Sequence, residues 1–381
     1  MTLAEASRLS TAPTAAAAVD RALQHGGRDE RLDLLRGFCI IKMVLTHLWP
    51  QPLDTVWMFG FASAAEGFFL ISGATTGIVF RRRAESSGFA FAARGLARRG
   101  VQLYLLNLGL LFVFLAAETT RVLQYREVLP EGSSPLELFT LNHPYFLQVL
   151  PRYAIFLLLA PLVLAGLRAG RTALLVGLSV GLWGLVMVRG GNLPLPYVET
   201  GAHGGFFVLS WQLLFYVGMA LGYHRERVGR LWRRLPVGLT FVLPAVLMLC
   251  FTVLGWANTS GRLAGWGWEA KQVALVFGRR QLGPGRLLDL SCVALVLFAV
   301  VDRFFVPLRR AAGWLLLPFG RHALYIFLVH TASFGFFLAL GPWLPFALYG
   351  HPWRLGLAGV LHFALLWVLA RKTPLKHQLG L

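Results

Sequence analysis

The sequence predicts an all-α, polytopic integral membrane protein with about ten transmembrane helices in one bundle. Three observations predict it. Apolar runs of bilayer-spanning length recur along the chain, charge is too scarce to cover a water-facing surface, and basic residues gather between alternate runs. Of the 381 residues, 56% are hydrophobic and 14% charged, and the mean hydropathy is +0.62. A soluble domain carries about 25% charged residues, so much of this surface must face lipid.

A helix needs about 20 mostly apolar residues to cross the hydrocarbon core. Such runs lie near 37–53, 57–80, 101–118, 146–167, 172–188, 206–223, 237–256, 287–302, 319–340 and 355–370. They give a membrane domain over 31–371, with tails at 1–30 and 372–381. The first tail is rich in Ala, Thr, Arg and Asp and holds no apolar stretch long enough for a signal peptide, so a disordered cytoplasmic tail is expected.

The basic residues set the direction. With the N-terminus inside, the inner side holds 25 of the 36 Lys and Arg residues and the outer side ten, with Lys42 inside a span. An odd span count would break this alternation, so both termini are expected in the cytoplasm. A net charge of +19 would suggest nucleic acid in a soluble protein. Here topology accounts for it, and no nucleic-acid partner is expected. Cys39, Cys250 and Cys292 all lie in apolar runs and read as packing thiols. The outer segment near 257–286 is basic against the trend. It reads either as a short interfacial helix or as an electropositive lip for an anionic or sugar substrate.

Ionisable groups within spans are costly and are candidates for function. Arg36 and His47 are eleven positions apart, about three helical turns, so they share one face of the first span. Lys42 points elsewhere and can snorkel. Glu66 lies on the second span, which a short loop makes an antiparallel neighbour of the first. Glu66 and His47 are expected within one or two turns in depth. A neutral imidazole held by a carboxylate is a suitable general base, and the same pair could simply lock two helices. Both readings stay open. Gly73-x-x-x-Gly77 allows close helix approach, with Ser72 on a neighbouring stripe. Ser72, His330, Arg152, Tyr153 and Gln212 are candidates to line a cavity, with a packing reading beside them. There is no P-loop, no zinc-type Cys/His spacing and no nucleophile elbow, so no metal and no resident cofactor are expected.

The segments Arg31-Leu-Asp33-Leu-Leu-Arg36-Gly37 through Thr46-His47, Ser63-Ala-Ala-Glu66 through Ser72-Gly73, Val149-Leu-Pro151-Arg152-Tyr153, Trp211-Gln212 and Gly320-Arg321-His322 through His330 resemble, in order and spacing, the OpgC branch of the membrane acyltransferase-3 superfamily. The resemblance covers about residues 31–335. It implies a bacterial inner-membrane enzyme that moves a succinyl group from cytoplasmic succinyl-CoA to a hydroxyl of a periplasmic glucan. It maps the superfamily's catalytic His onto His47, its Arg onto Arg36 and the branch's acidic residue onto Glu66. Arg36, Arg81 and Arg82 would meet the CoA donor, and acyl-CoA would be a co-substrate. Ser63, Asp289 and Ala323 depart from the branch pattern and bear on the acyl group and acceptor. A glycan, lipid or acyl-carrier transporter and a non-catalytic scaffold are the alternatives. Self-association is left open.

Overall fold

The computed structural model describes residues 29–48, 59–119, 139, 147–190, 206–340 and 352–372. Among them no strand occurs, and the described part of every expected apolar run is largely helical. In chain order the helices are α1 Glu30–Leu48, α2 Ala64–Ser86, α3 Phe89–Thr119, α4 Val149–Arg168, α5 Thr172–Val188, α6 Val208–Tyr223, α7 Arg225–Arg234, α8 Leu243–Thr259, α9 Arg262–Gly265, α10 Ala270–Phe277, α11 Pro284–Arg303, α12 Phe305–Arg321, α13 Ala323–Leu340 and α14 Pro352–Lys372. A turn of π-helix, Gly238–Val242, leads into α8. The tails 1–28 and 373–381, and most of the outer segment 119–145, lie outside the described residues.

Four helices among the described residues are long and apolar enough to cross a bilayer, namely α3, α4, α8 with its π turn, and α11. A fifth arises if α12 and α13 count as one broken span, bent by 79°. Polar and ionisable groups dilute α1 and α2, and α5 and α6 are short apolar helices of 17 and 16 residues. The molecule is therefore a helical membrane protein with four to five clearly apolar spans. Leu174, Leu178 and Leu185 of α5 and Val246, Leu249 and Val253 of α8 are exposed. Exposure of rows of large aliphatics suits a lipid-facing surface.

Lipid tails are as apolar as leucine, so helices in a bilayer associate by close packing rather than by escape from water. Two glycine seams do this here. On α2, Gly73 and Gly77 lie against the carbonyls of Phe215 and Met219, while Gly218 and Gly222 of α6 lie against those of Leu70 and Ala74. The numbers rise together, so α2 and α6 run parallel. Gly37 of α1 and Gly320 of α12 make the second seam, against Leu316 and Asp33. A methyl at Gly222 would overlap the Ala74 carbonyl oxygen, and backbone cannot swing aside as a side chain can. Gly222→Ala is expected to cost about 1–3 kcal/mol. Gly181→Ala on α5, where nothing lies within 4 Å, should cost nothing or stabilise slightly. Unfolding of both variants in detergent checks the contrast; equal effects would mean that the seam is not close-packed.

The run near 319–340 does not behave as one span. α12 is an amphipathic helix carrying Arg309, Arg310 and Arg321, and it packs on the first half of α1 before the chain turns at His322 into α13. The apolar runs in the sequence placed all of it except the last three residues in an inner loop. Its basic residues hold it: Glu30 pairs with Arg309 at 2.7 Å and also with Arg321, and Arg31 pairs with Asp302 at 2.6 Å. Residues that the charge pattern assigns to the inside thus meet at one end of the bundle.

Candidate active site

An aromatic cluster sets the frame. Phe69 meets Trp211 at 5.3 Å and Phe156 at 5.7 Å, and Tyr153 meets Phe215 at 5.5 Å, all edge to face. These rings bind α2, α4 and α6 into one block. Tyr153 is therefore packed into the core.

The neighbouring polar candidates also serve packing. Arg152 is buried, with Nε donating to the Phe206 carbonyl at 2.6 Å and Nη1 to that of Gln148 at 3.0 Å. Gln212 donates to the Ser179 carbonyl at 2.8 Å and so ties α6 to α5. Buried polar groups in a low-dielectric interior need such partners. In this arrangement Arg152, Tyr153 and Gln212 are held by their neighbours in the core. A cavity of about 350 Å³ does lie nearby, lined by Phe207, Lys271, Leu275, Arg280 and Gln281 among others. It sits beside α10, in the basic outer segment. That segment thus holds both a short helix and a basic concavity.

Glu66 is fully buried. Its Oε1 accepts from Arg286 Nε at 2.6 Å, and its Oε2 accepts from the Ser63 backbone N–H at the start of α2. Arg286 Nη1 reaches the Phe277 carbonyl at 3.0 Å. One turn along α11, the Oδ2 of fully buried Asp289 accepts from the N–H groups of Phe61 and Ala62 at 2.7 and 2.8 Å. These three charged groups staple the starts of α2 and α11 to the end of α10. Sequence reasoning treated Arg286 as a loop cation and Asp289 as a departure from the family pattern. Only the fold shows that they complete the Glu66 site.

The expectation that Glu66 holds His47 is corrected by this geometry. Phe59 lies under Lys42, whose Nζ is 4.6 Å from the ring centroid, and Gly67 packs on Cys39. The second helix thus begins level with the middle of α1, and Glu66 sits about two turns below His47.

His47 has another partner. Its Nδ1 lies 2.8 Å from Nε2 of His330, with ring centroids 5.1 Å apart and planes 8° from parallel, the geometry of an end-to-end hydrogen bond. His330 Nδ1 in turn lies 3.0 Å from Nε2 of His362 on α14. His330 is 1% exposed, and His47 and His362 are half-buried. Arg279, on the turn before α11, is an electrostatic neighbour of His47. That turn is held from inside: Leu282 is fully buried at φ 54°, an uncommon conformation for a non-glycine residue, and its carbonyl accepts from Trp183. His362 went unnoticed in the sequence, although a lone histidine in an apolar run is the kind of signal that marked His330.

The donor candidates lie toward the other end. Arg36 is 8% exposed on the His47 face of α1, about 16 Å along the helix. Arg81 donates to the Tyr223 carbonyl at 2.7 Å and pairs with Glu85 at 2.8 Å. Arg82, beside it, is partly buried. Ser72 is buried, and its hydroxyl has no hydrogen-bond partner among the described residues.

The profile of the family described as OpgC protein matches residues 28–377. The chain belongs to the OpgC family. Neither curated proteins nor solved structures gave a match. Membership in the OpgC family places the chain, at a coarse level, among acyltransferase-like proteins that modify glucans.

Proposed function

We propose that this OpgC-family chain is a ten-span O-acyltransferase of the bacterial inner membrane with cytoplasmic termini. It would move an acyl group, succinyl in the first instance, from cytoplasmic acyl-CoA to a hydroxyl of a periplasmic glucan or other glycan. The observation that carries the reading is His47, held inside the bundle by a 2.8 Å bond from Nδ1 to His330. That bond fixes the ring and turns Nε2 away from His330, toward a substrate. His47 would accept the hydroxyl proton as the oxygen attacks the thioester carbonyl. Arg36 would steer the donor's phosphates, aided by Arg81 and Arg82. Glu66 enters as a positioning residue through Arg286. The basic cavity at Phe207, Lys271 and Arg280 would receive the acceptor. Acyl-CoA is a co-substrate, and the bilayer is the solvent.

The test is reconstitution in sealed vesicles with labelled succinyl-CoA on the inner-end side and linear glucan on the other. Label appearing on the glucan as an ester supports the reading, and no covalent label overturns it. The 79° break between α12 and α13 favours a second reading, a glycan or lipid transporter, because broken helices mark such sites. Glycan crossing the vesicle wall unmodified would select it.

A further inference from the structure

His47, His330 and His362 come from three helices, α1, α13 and α14, and stand in one line of hydrogen bonds. Two neutral imidazoles can bond only if one nitrogen donates and the other accepts, so the tautomers in such a line are linked. For His47 to act as a base at Nε2, its proton must sit on Nδ1 and be donated to His330 Nε2. His330 then carries its proton on Nδ1 and donates to His362 Nε2, which leaves the His362 proton on Nδ1. A single choice at the reacting nitrogen fixes all three rings.

We propose that His330 and His362 form a proton relay that takes up the proton His47 removes from the acceptor. The proposal rests on the acyl-transfer reading. The hydroxyl oxygen uses its O–H electron pair to form the new C–O bond, the C=O π pair moves onto the carbonyl oxygen, and the proton goes to His47 Nε2. The His47 Nδ1 proton shifts to His330 Nε2, and the His330 Nδ1 proton shifts to His362 Nε2. His47 and His330 are then neutral, and His362 is the imidazolium. When the tetrahedral intermediate collapses, the oxyanion's electron pair re-forms C=O and the C–S bond breaks with its electron pair on sulfur. The same shifts in reverse return a proton to His47 Nδ1, and the proton on His47 Nε2 passes to the thiolate. Alcohol and thioester become ester and thiol, and each ring returns to its first tautomer.

Two features favour a relay over a set of struts. A charge on His330, which is almost sealed from solvent, would be costly, whereas His362 is half-buried on the last helix. Arg279 is an electrostatic neighbour of His47, at one end of the line of rings, and His362 is at the other end. Moving the positive charge two rings along takes it away from that guanidinium.

Glutamine separates the two roles. Its carbonyl oxygen can accept where Nε2 accepts and its amide can donate where Nδ1–H donates, but it cannot carry a proton onward. The experiment measures acyl transfer by wild type, His330→Gln and His362→Gln, with solvent deuterium effects. The relay predicts kcat lowered by roughly 10²-fold in both Gln variants with acceptor KM little changed. It also predicts a changed solvent isotope effect, and partial recovery of a His362→Ala variant by added imidazole. Wild-type kcat in both Gln variants would show that the rings only hold His47 in place. Absence of transfer by wild type would instead remove the acyl-transfer reading, and the relay with it. Imidazole nitrogen shifts of the labelled wild-type protein give a readout independent of turnover. Nδ1-protonated tautomers for all three rings are expected at neutral pH, and an Nε2-protonated His330 would contradict the chain.

Discussion

His47→Ala is expected to lower acyl transfer by about 10²–10⁴-fold, the range that a positioned general base supplies, while the protein should remain folded and monodisperse in detergent. The half-buried ring is bonded to His330 rather than packed as filler, so its removal leaves the bundle standing and the acceptor hydroxyl without a base. The loss should fall on kcat, because donor binding is assigned to Arg36 and the inner-end arginines some 16 Å away. Lys42→Met is the matched control on the same helix. Lys42 stacks over Phe59 at 4.6 Å and faces away from the histidine line, so transfer should change by less than about threefold, within what lost cation–π packing explains. Rates with labelled acyl-CoA and purified protein decide it. Full activity in His47→Ala would take the catalytic role from this histidine.

The helices were legible in the sequence because the apolar runs approach bilayer-spanning length and each has arginines at its inner end. Gly73 and Gly77 announced a close contact by their spacing, although the partner, Gly218 and Gly222 on α6, needed the fold. The depth of Glu66 was nearly legible from counting residues, but its partner was not. α1 and α2 are consecutive in the sequence, and that nearness suggested His47. Arg286 is 220 positions away along the chain, and no periodicity points across that distance. The bend at His322 was illegible for a different reason. Phe319 to Leu340 reads as one apolar run, and the pairing of Arg309 and Arg321 with Glu30, together with the Gly37/Gly320 seam, holds α12 against the first helix. His362 was legible by the rule that singled out His330 and was passed over because nothing around it is polar in sequence.

Arg286→Met should be the most destabilising single change at the Glu66 site, costing about 3–5 kcal/mol, the range for a buried pair broken by loss of one member. Arg286 lies between two carboxylates: it bonds Glu66 at 2.6 Å, and Asp289 is an electrostatic neighbour of both. Its removal leaves two like charges in an apolar interior and frees the Phe277 carbonyl. Glu66→Gln is the milder change. The amide can still accept from Ser63, and Arg286 still has Asp289 as a counter-charge, so a cost nearer 1–2 kcal/mol is expected, close to one charge-assisted hydrogen bond. The double variant should cost less than the two single losses together, since Glu66→Gln removes one of the charges that Arg286→Met exposes. Unfolding in mixed micelles, followed by tryptophan fluorescence, measures all three. Equal single losses that add in the double variant would mean that the three charged groups do not act as a network, and that Asp289 serves only the backbone at Phe61 and Ala62.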